Sequence, residues 1–285
     1  MTITTNYREI WYNVSNLERR GIFMNKKMVF FDIDGTLSDE YDFTIPESTY
    51  KALNLARENG HLMFINTGRT FSEIEERFKE MPMDGFVCGC GTHIYYQGEE
   101  IYASHLDKEL RHRITDLSLE CKLEAVLEGN NGIYFSEKCT DPYIVNIKNR
   151  YMKMGMPVYT YNEGDDVPFE KLTVWYFKDS DIDRFKETFK NDLFYIQRAD
   201  NFIEITPIHH SKATGIKKLI DYLDIPWENT LSIGDSTNDL AMLQYTKESI
   251  AMGNSSKEIL DKVTYITKDI HDDGIYHALK HFNII

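Results

Sequence analysis

The segment Lys26–Ile33 reads K-K-M-V-F-F-D-I, a short run that is apolar at successive positions instead of alternate ones. A strand of that composition is buried on both faces, and both faces are covered when helices pack on either side of a parallel sheet. The run breaks at Asp34-Gly35-Thr36, and the pattern then repeats. Pro46 and Gly60 sit where a helix would start and stop, with Tyr50, Leu53 and Ala56 as its inner stripe. His61 to Ile65 is a second apolar strand, ending at Asn66-Thr67-Gly68-Arg69. Phe71, Ile74 and Phe78 recur at i, i+3 and i+7, which predicts a further helix, and Gly85 to Cys88 starts a third strand. Strands alternating with helices predict an α/β chain with a parallel sheet.

The middle of the chain changes character. Leu110, Ile114, Leu117 and Cys121 mark a helix. Leu123 to Leu127 and Ile133 to Phe135 read as strands, Asp141 to Met154 as a helix, and Leu172 to Phe177 as an aromatic strand. Ser180 to Phe189 then reads as a helix and Leu193 to Gln197 as a strand. This is the pattern of a self-contained α+β unit, placed at 104–198. The α/β alternation resumes with a strand at Phe202 to Thr206 and a helix lined by Ile216, Leu219, Ile220 and Leu223. Thr230 to Ile233 is an apolar strand ending at Gly234-Asp235, Asn238 to Leu243 opens a helix, and Ser249 to Met252 is a last strand before a helix around Lys257 to Val263. The expected architecture is a Rossmann-like core of 24–103 and 199–285, with helices on both faces of a parallel sheet, interrupted by an inserted cap. Residues 1–23 are set apart as an extension. Arg19-Arg20 can be encoded by a purine-rich ribosome-binding sequence ahead of Met24, so translation from Met24 is expected.

Charge narrows the partners. The chain has 46 acidic against 32 basic residues, a net charge of −14, and no basic stripe, so nucleic-acid phosphates should repel it. No apolar run reaches the ~18 residues of a membrane span. Four scattered cysteines, Cys88, Cys90, Cys121 and Cys139, form no disulfide framework, and Cys88-Gly89-Cys90 reads as small buried residues on a strand. A cytoplasmic monomer acting on a small molecule is the expectation.

Four polar segments fall at strand ends or a helix start, where parallel sheets bind ligands. They are Asp32-Ile33-Asp34-Gly35-Thr36, Asn66-Thr67-Gly68-Arg69, Ser211-Lys212 and Gly234-Asp235-Ser236-Thr237-Asn238-Asp239. Two carboxylates leaving a buried strand together repel, and a divalent cation with hard oxygen ligands relieves that cost. Asp32 can then attack phosphorus, and Asp34 can protonate the leaving oxygen and later deprotonate water. Thr67 can bind phosphate oxygens or serve as a helix cap. Arg69 contacts substrate or braces its loop. Lys212 offers a compact positive charge, and Asn238 a donor to phosphate. Asp235 is the third carboxylate for a metal, with Asp239 ligating through water or orienting other ligands. Mg²⁺ suits these oxygens best.

These segments, in this order, resemble the haloacid dehalogenase superfamily of phosphotransferases from about Met28 onward. The insert is similar to the type-two cap of its Cof-like sugar-phosphatase branch. The resemblance implies Asp32 as nucleophile and Asp34 as general acid and base. It implies Mg²⁺ held by Asp32, the Asp34 carbonyl and Asp235, and a phosphoryl group held by Thr67, Gly68, Lys212 and Asn238. Two departures stand out: Cys90-Gly91 where relatives often carry Asn-Gly, and His209-His210 where many carry Gly-Val. Both bear on substrate identity. The reading is a Mg²⁺-dependent phosphatase of a small phosphorylated metabolite, a sugar phosphate. A phosphomutase or phosphotransferase on the same fold, or a phospho-aspartate signalling or sensor protein, is the alternative. Tyr134, Ser136, Lys138 and Tyr143 are candidates for reading the leaving group.

Overall fold

The computed structural model describes residues 26–285, so the extension 1–23 and a start at Met24 lie outside the described residues. In chain order, strand β1 (Met28–Phe31), helix α1 (Glu47–Glu58) and β2 (Leu62–Asn66) come first. Helix α2 (Glu76–Lys79), β3 (Gly85–Cys88), β4 (His93–Tyr96) and β5 (Glu99–Ala103) follow. Then come α3 (Lys108–Glu120), β6 (Glu124–Gly129), β7 (Gly132–Ser136), α4 (Pro142–Lys153), β8 (Val158–Tyr161) and β9 (Lys171–Trp175). The remainder is α5 (Ile182–Thr188), β10 (Leu193–Ala199), β11 (Phe202–Pro207), α6 (Lys212–Leu223), β12 (Thr230–Gly234), α7 (Leu240–Tyr245), β13 (Glu248–Ala251), β14 (Tyr265–Ile266) and α8 (Gly274–His281). No helix among the described residues is long and apolar enough to cross a membrane.

The chain divides into two compact units. One comprises the described residues up to Met63 together with Ile216–Ile285, and the other Phe64–Gly215. In the first, β1 runs parallel to β12, with Met28 opposite Thr230 and Phe31 opposite Ile233. β12 is parallel to β13, and β13 to β14. All four β1 residues are buried, as their unbroken apolar run requires. Helix α1 starts after Pro46, which holds an extended N-cap conformation, and stops at Gly60, whose φ of +86° suits glycine. Its buried face is Thr49, Ala52, Leu53 and Ala56.

In the second unit, β2 and β3 are parallel, while β4 and β5 add antiparallel strands after β3. A six-stranded sheet in the order β10-β11-β9-β6-β7-β8 fills the rest. Its core gathers Ile114 from α3, Leu127 and Leu172 from the sheet, and Phe185 and Phe189 from α5 and its end. Each such apolar side chain contributes about 1.5–3 kcal/mol on burial.

The strand Phe202–Pro207, which reads in sequence as the return of the parallel sheet, pairs antiparallel with β10 and β9. A tight turn at Asp200-Asn201 folds it back as a hairpin, so it joins the inserted sheet. The helix expected from Phe71, Ile74 and Phe78 is split into a 3-10 turn at Phe71–Glu73 and the short α2. Thr70 and Glu73 form a capping box, and Ile74 is extended, so the backbone restarts at Glu75.

Candidate active site

In the first unit, β1 and β12 are neighbours, and each hands the chain to an aspartate at its carboxyl end. Asp32 follows Phe31, and its backbone N–H donates to the Ile233 carbonyl at 3.1 Å. Asp235 follows Gly234, the end of β12. Asp32, Asp235 and Asp239 each offer a carboxylate oxygen, and these oxygens lie within 4.8 Å of one another. The three residues are 3%, 6% and 0% exposed, so their mutual repulsion is poorly screened by water.

The local backbone accounts for this gathering. After Asp32 the chain turns tightly: the N–H groups of Leu37 and Ser38 both donate to the Ile33 carbonyl, at 3.0 and 2.9 Å. Gly35 sits in the left-handed region at φ +78°, and a Cβ there would lie 2.5 Å from Asp235 Oδ2. Only glycine meets both conditions. Thr36 Oγ1 donates to Asp235 Oδ1 at 3.2 Å, and Asn254 Nδ2 donates to the Gly35 carbonyl at 2.8 Å, so the two loops hold each other. Asp239 Oδ2 accepts the backbone N–H groups of Asp235 at 3.0 Å and Ser236 at 3.2 Å. Asp239 therefore orients the Asp235 loop from beneath. Half-buried Asn238 accepts at Oδ1 from the Ser236 hydroxyl. Asp34 is half-buried, and its carboxylate is not part of the three-acid group.

A second acidic group, Asp39, Asp42 and His271, has similar spacing but lies at the surface. Asp39 there accepts from the backbone of Tyr41 and Asp42 and pairs with His271 at 3.1 Å, which accounts for it as a capped turn.

The other predicted residues lie in the second unit. Thr67 is buried, and its hydroxyl accepts the Arg69 N–H at 3.1 Å. The turn is stitched to the loop after β3: Thr67 N–H donates to Val87, Cys90 N–H to Thr67, and Gly89 N–H to Arg69, at 2.9, 3.1 and 2.7 Å. Arg69 pairs with Glu75 at 3.3 Å, which is the bracing role. Lys212 opens α6 and is 1% exposed, and its carbonyl accepts from Asn66 Nδ2 at 3.1 Å. Next to it, Ser211 and Thr214 cap one another through backbone N–H groups at 2.9 and 3.2 Å.

The two departures acquire contacts in the same unit. Cys90 is left-handed at φ 55°, and its thiol donates to Glu204 Oε1 at 3.5 Å. All four cysteines are free, and burial pushes the Cys88 and Cys90 thiols up, away from the reactive thiolate. His209 adopts φ 69°, and the His210 ring shares a 3.0 Å hydrogen bond with the Tyr102 hydroxyl.

Sequence reading missed a buried charged group built from β6, β9 and β11. Lys171 Nζ lies 2.5 Å from Glu128 Oε2 and 2.9 Å from Glu204 Oε1, and Thr173 donates to Glu128 at 2.6 Å. Burial works against the Lys171 charge, but the two carboxylates hold its pKa well above the ordinary ammonium value. Burial, with Glu73 behind it, raises Glu128. Burial also acts on Glu204, yet Lys171, with Arg198 and Lys212, holds it below the ordinary carboxylate range. The only signal in the sequence is a charged residue at a sheet-interior position on each strand. Of the cap candidates, Tyr134 stacks on Tyr159 with ring centres 5.3 Å apart, and Tyr143 meets the Trp175 edge at 6.2 Å. Lys138 reaches Glu163 at 4.0 Å, and the Ser136 hydroxyl accepts the Lys138 N–H at 3.2 Å.

The family model of haloacid dehalogenase-like hydrolases matches residues 29–279. A putative phosphatase of Bacillus subtilis, YkrA, is 28% identical over 267 residues, covering 92% of this chain and 100% of its own. The 5-amino-6-(5-phospho-D-ribitylamino)uracil phosphatase YcsE of the same organism is 26% identical, covering 90% of this chain and 95% of its own. Among solved structures, the subclass IIB sugar phosphatase BT4131 matches with a TM-score of 0.77 at 26% identity, covering 91% of this chain and 100% of that one.

Proposed function

The chain belongs to the haloacid dehalogenase-like hydrolase family, and we propose that this phosphatase hydrolyses a small phosphorylated metabolite, a sugar or polyol phosphate, with Asp32 as its nucleophile. The observation that carries the reading is the buried group Asp32, Asp235 and Asp239 at the ends of two adjacent parallel strands. Three poorly hydrated carboxylates with oxygens within 4.8 Å of one another form a hard, anionic donor set, which suits Mg²⁺. Asp32, the Asp34 carbonyl and Asp235 would hold the ion, with Asp239 fixing the Asp235 loop. Held there, Mg²⁺ supplies neutralisation of the negative phosphoryl oxygens.

The residues do the rest. A carboxylate oxygen of Asp32 forms a bond to phosphorus while the bond from phosphorus to the ester oxygen breaks. Asp34 gives its proton to the departing alcohol. Water then attacks the aspartyl phosphate, Asp34 takes its proton, and the bond from the Asp32 oxygen to phosphorus breaks to release inorganic phosphate. Thr67, Gly68, Lys212 and Asn238 take the phosphoryl-holding roles that the family motifs assign to them. The names of the relatives support a phosphorylated, hydroxyl-bearing substrate: one acts on a phosphoribitylamino compound and another is a sugar phosphatase.

The test is inorganic phosphate release in the presence of Mg²⁺. Asp32→Asn should cost roughly 10⁴-fold or more in turnover with the fold retained, as for other nucleophiles removed singly. Turnover near wild type in that variant would reject Asp32. Recovery of an isomeric phosphoester in place of inorganic phosphate would favour the phosphomutase alternative.

A further inference from the structure

Glu204 is out of place for a residue of a sheet. It lies on β11 between two hydrogen-bonded neighbours, opposite Ile196 on β10 and Thr173 on β9. Its carboxylate nevertheless reaches the Thr67-Gly68 turn: a Cβ on Gly68 would stand 2.9 Å from Glu204 Oε1 and 3.6 Å from Cys90 Sγ. Gly68 has an ordinary negative φ, so its lack of a side chain makes room for that carboxylate and is not a demand of the backbone. Lys171 fixes Glu204 from behind at 2.9 Å, and the two side chains are 3% and 9% exposed. The Lys171 and Cys90 contacts both fall on Oε1, which is also the oxygen closest to Gly68.

We propose that Glu204 selects the leaving group, its carboxylate accepting a hydroxyl of a polyol or sugar phosphate and turning away phosphoesters that carry a carboxylate. This rests on the reading above, in which the Thr67-Gly68 turn holds the phosphoryl group. A carboxylate seated against that turn meets the part of the substrate close to the ester oxygen. An ionised carboxylate only accepts hydrogen bonds, so it rewards O–H groups and repels a second anion. Lys171 is shared with Glu128 at 2.5 Å, and Arg198 and Lys212 also act on Glu204. Cys90 contributes by its left-handed backbone, which turns the thiol onto Oε1, the oxygen that faces the turn.

The experiment compares kcat/KM of the purified full chain with Mg²⁺ on three probes. Ribitol 5-phosphate carries hydroxyls, 2-phosphoglycolate carries a carboxylate, and p-nitrophenyl phosphate carries neither. Glu204→Gln keeps the size and removes the charge. The ratio of ribitol 5-phosphate to p-nitrophenyl phosphate should fall about 10- to 100-fold, chiefly through KM, the range for a lost charged hydrogen bond. The ratio for 2-phosphoglycolate should rise. Glu204→Asp, which keeps the charge but withdraws it, should lower the first ratio and leave 2-phosphoglycolate rejected. It carries the test alone if Glu204→Gln does not fold. Ratios that stay at wild-type values, or three activities that fall in step, overturn the assignment of Glu204 while leaving the phosphatase reading in place. A wild-type chain that hydrolyses none of the probes overturns the phosphatase reading and this one with it.

Discussion

Two buried charged groups in this molecule are built on opposite plans. Asp32, Asp235 and Asp239 bring three carboxylates within 4.8 Å. Glu128, Lys171 and Glu204 set an ammonium between two carboxylates, at 2.5 and 2.9 Å. The second group carries most of its own neutralisation and is therefore a fixed part of the fold. The first concentrates charge of one sign, a cost that a cation can recover. Buried charge thus takes two forms here: an ammonium set between two carboxylates, and three carboxylates gathered in a set that suits a cation.

That contrast breaks if the two groups respond alike to losing one member. The largest effect is expected at Lys171. Lys171→Met leaves two buried carboxylates without their ammonium and should destabilise the protein by about 3–5 kcal/mol in urea unfolding. A loss below about 1 kcal/mol would mean that the cluster is hydrated and not the fixed device described.

A second, smaller effect is expected from Glu170, beside the same sheet. Its Oε2 accepts the Asn130 N–H at 2.8 Å, and burial raises its pKa to about 7 from the ordinary 4.5. A carboxyl raised on folding holds its proton in the native state after the unfolded chain has lost it. The stability it contributes is full below about 4.5 and is lost as pH rises through about 7. Melting temperature should therefore decline between those values, by an amount equivalent to about 3 kcal/mol, and Glu170→Gln should flatten the decline. A profile unchanged by that substitution contradicts the burial of an ionisable group at this position.

The smallest effect has the opposite sign. With Mg²⁺ chelated, Asp235→Asn relieves repulsion in the three-acid group. It should leave stability unchanged or raise it by up to about 1 kcal/mol, while abolishing the melting-temperature rise expected of the wild type on adding Mg²⁺. A strongly destabilised Asp235→Asn would make that group a structural network like the other.

The same contrast explains what the sequence made legible. The gathering of Asp32, Asp235 and Asp239 is readable because each lies within five residues of the end of a buried apolar run, and a strand end tells where the chain leaves a parallel sheet. Glu128, Lys171 and Glu204 are 43 and 33 residues apart, and what unites them is the lateral register of β6, β9 and β11. Register between antiparallel strands is set by tertiary packing and turn geometry, and no local pattern announces it. The same blindness placed the strand at Phe202 to Thr206 with the parallel strands, because an apolar strand reads alike in either sheet until its partners are known. β8 escaped notice for a related reason: Val158–Tyr161 is a short strand with only Tyr161 fully buried, and it carries little apolar periodicity. The split helix at Phe71–Lys79 shows a local signal overruled, since its apolar spacing is helical but the Thr70–Glu73 capping box closes the first turn.

The central claim is that a phosphoryl group passes through Asp32. Chain turning over substrate with Mg²⁺ can be quenched and treated with borohydride, which reduces an aspartyl phosphate to homoserine, and the peptide spanning Met28–Ser38 then sequenced by mass spectrometry. Homoserine at position 32, absent without substrate and absent in Asp32→Asn, is the predicted result. An unmodified Asp32 in enzyme that is visibly turning over, or homoserine at another aspartate, would contradict it.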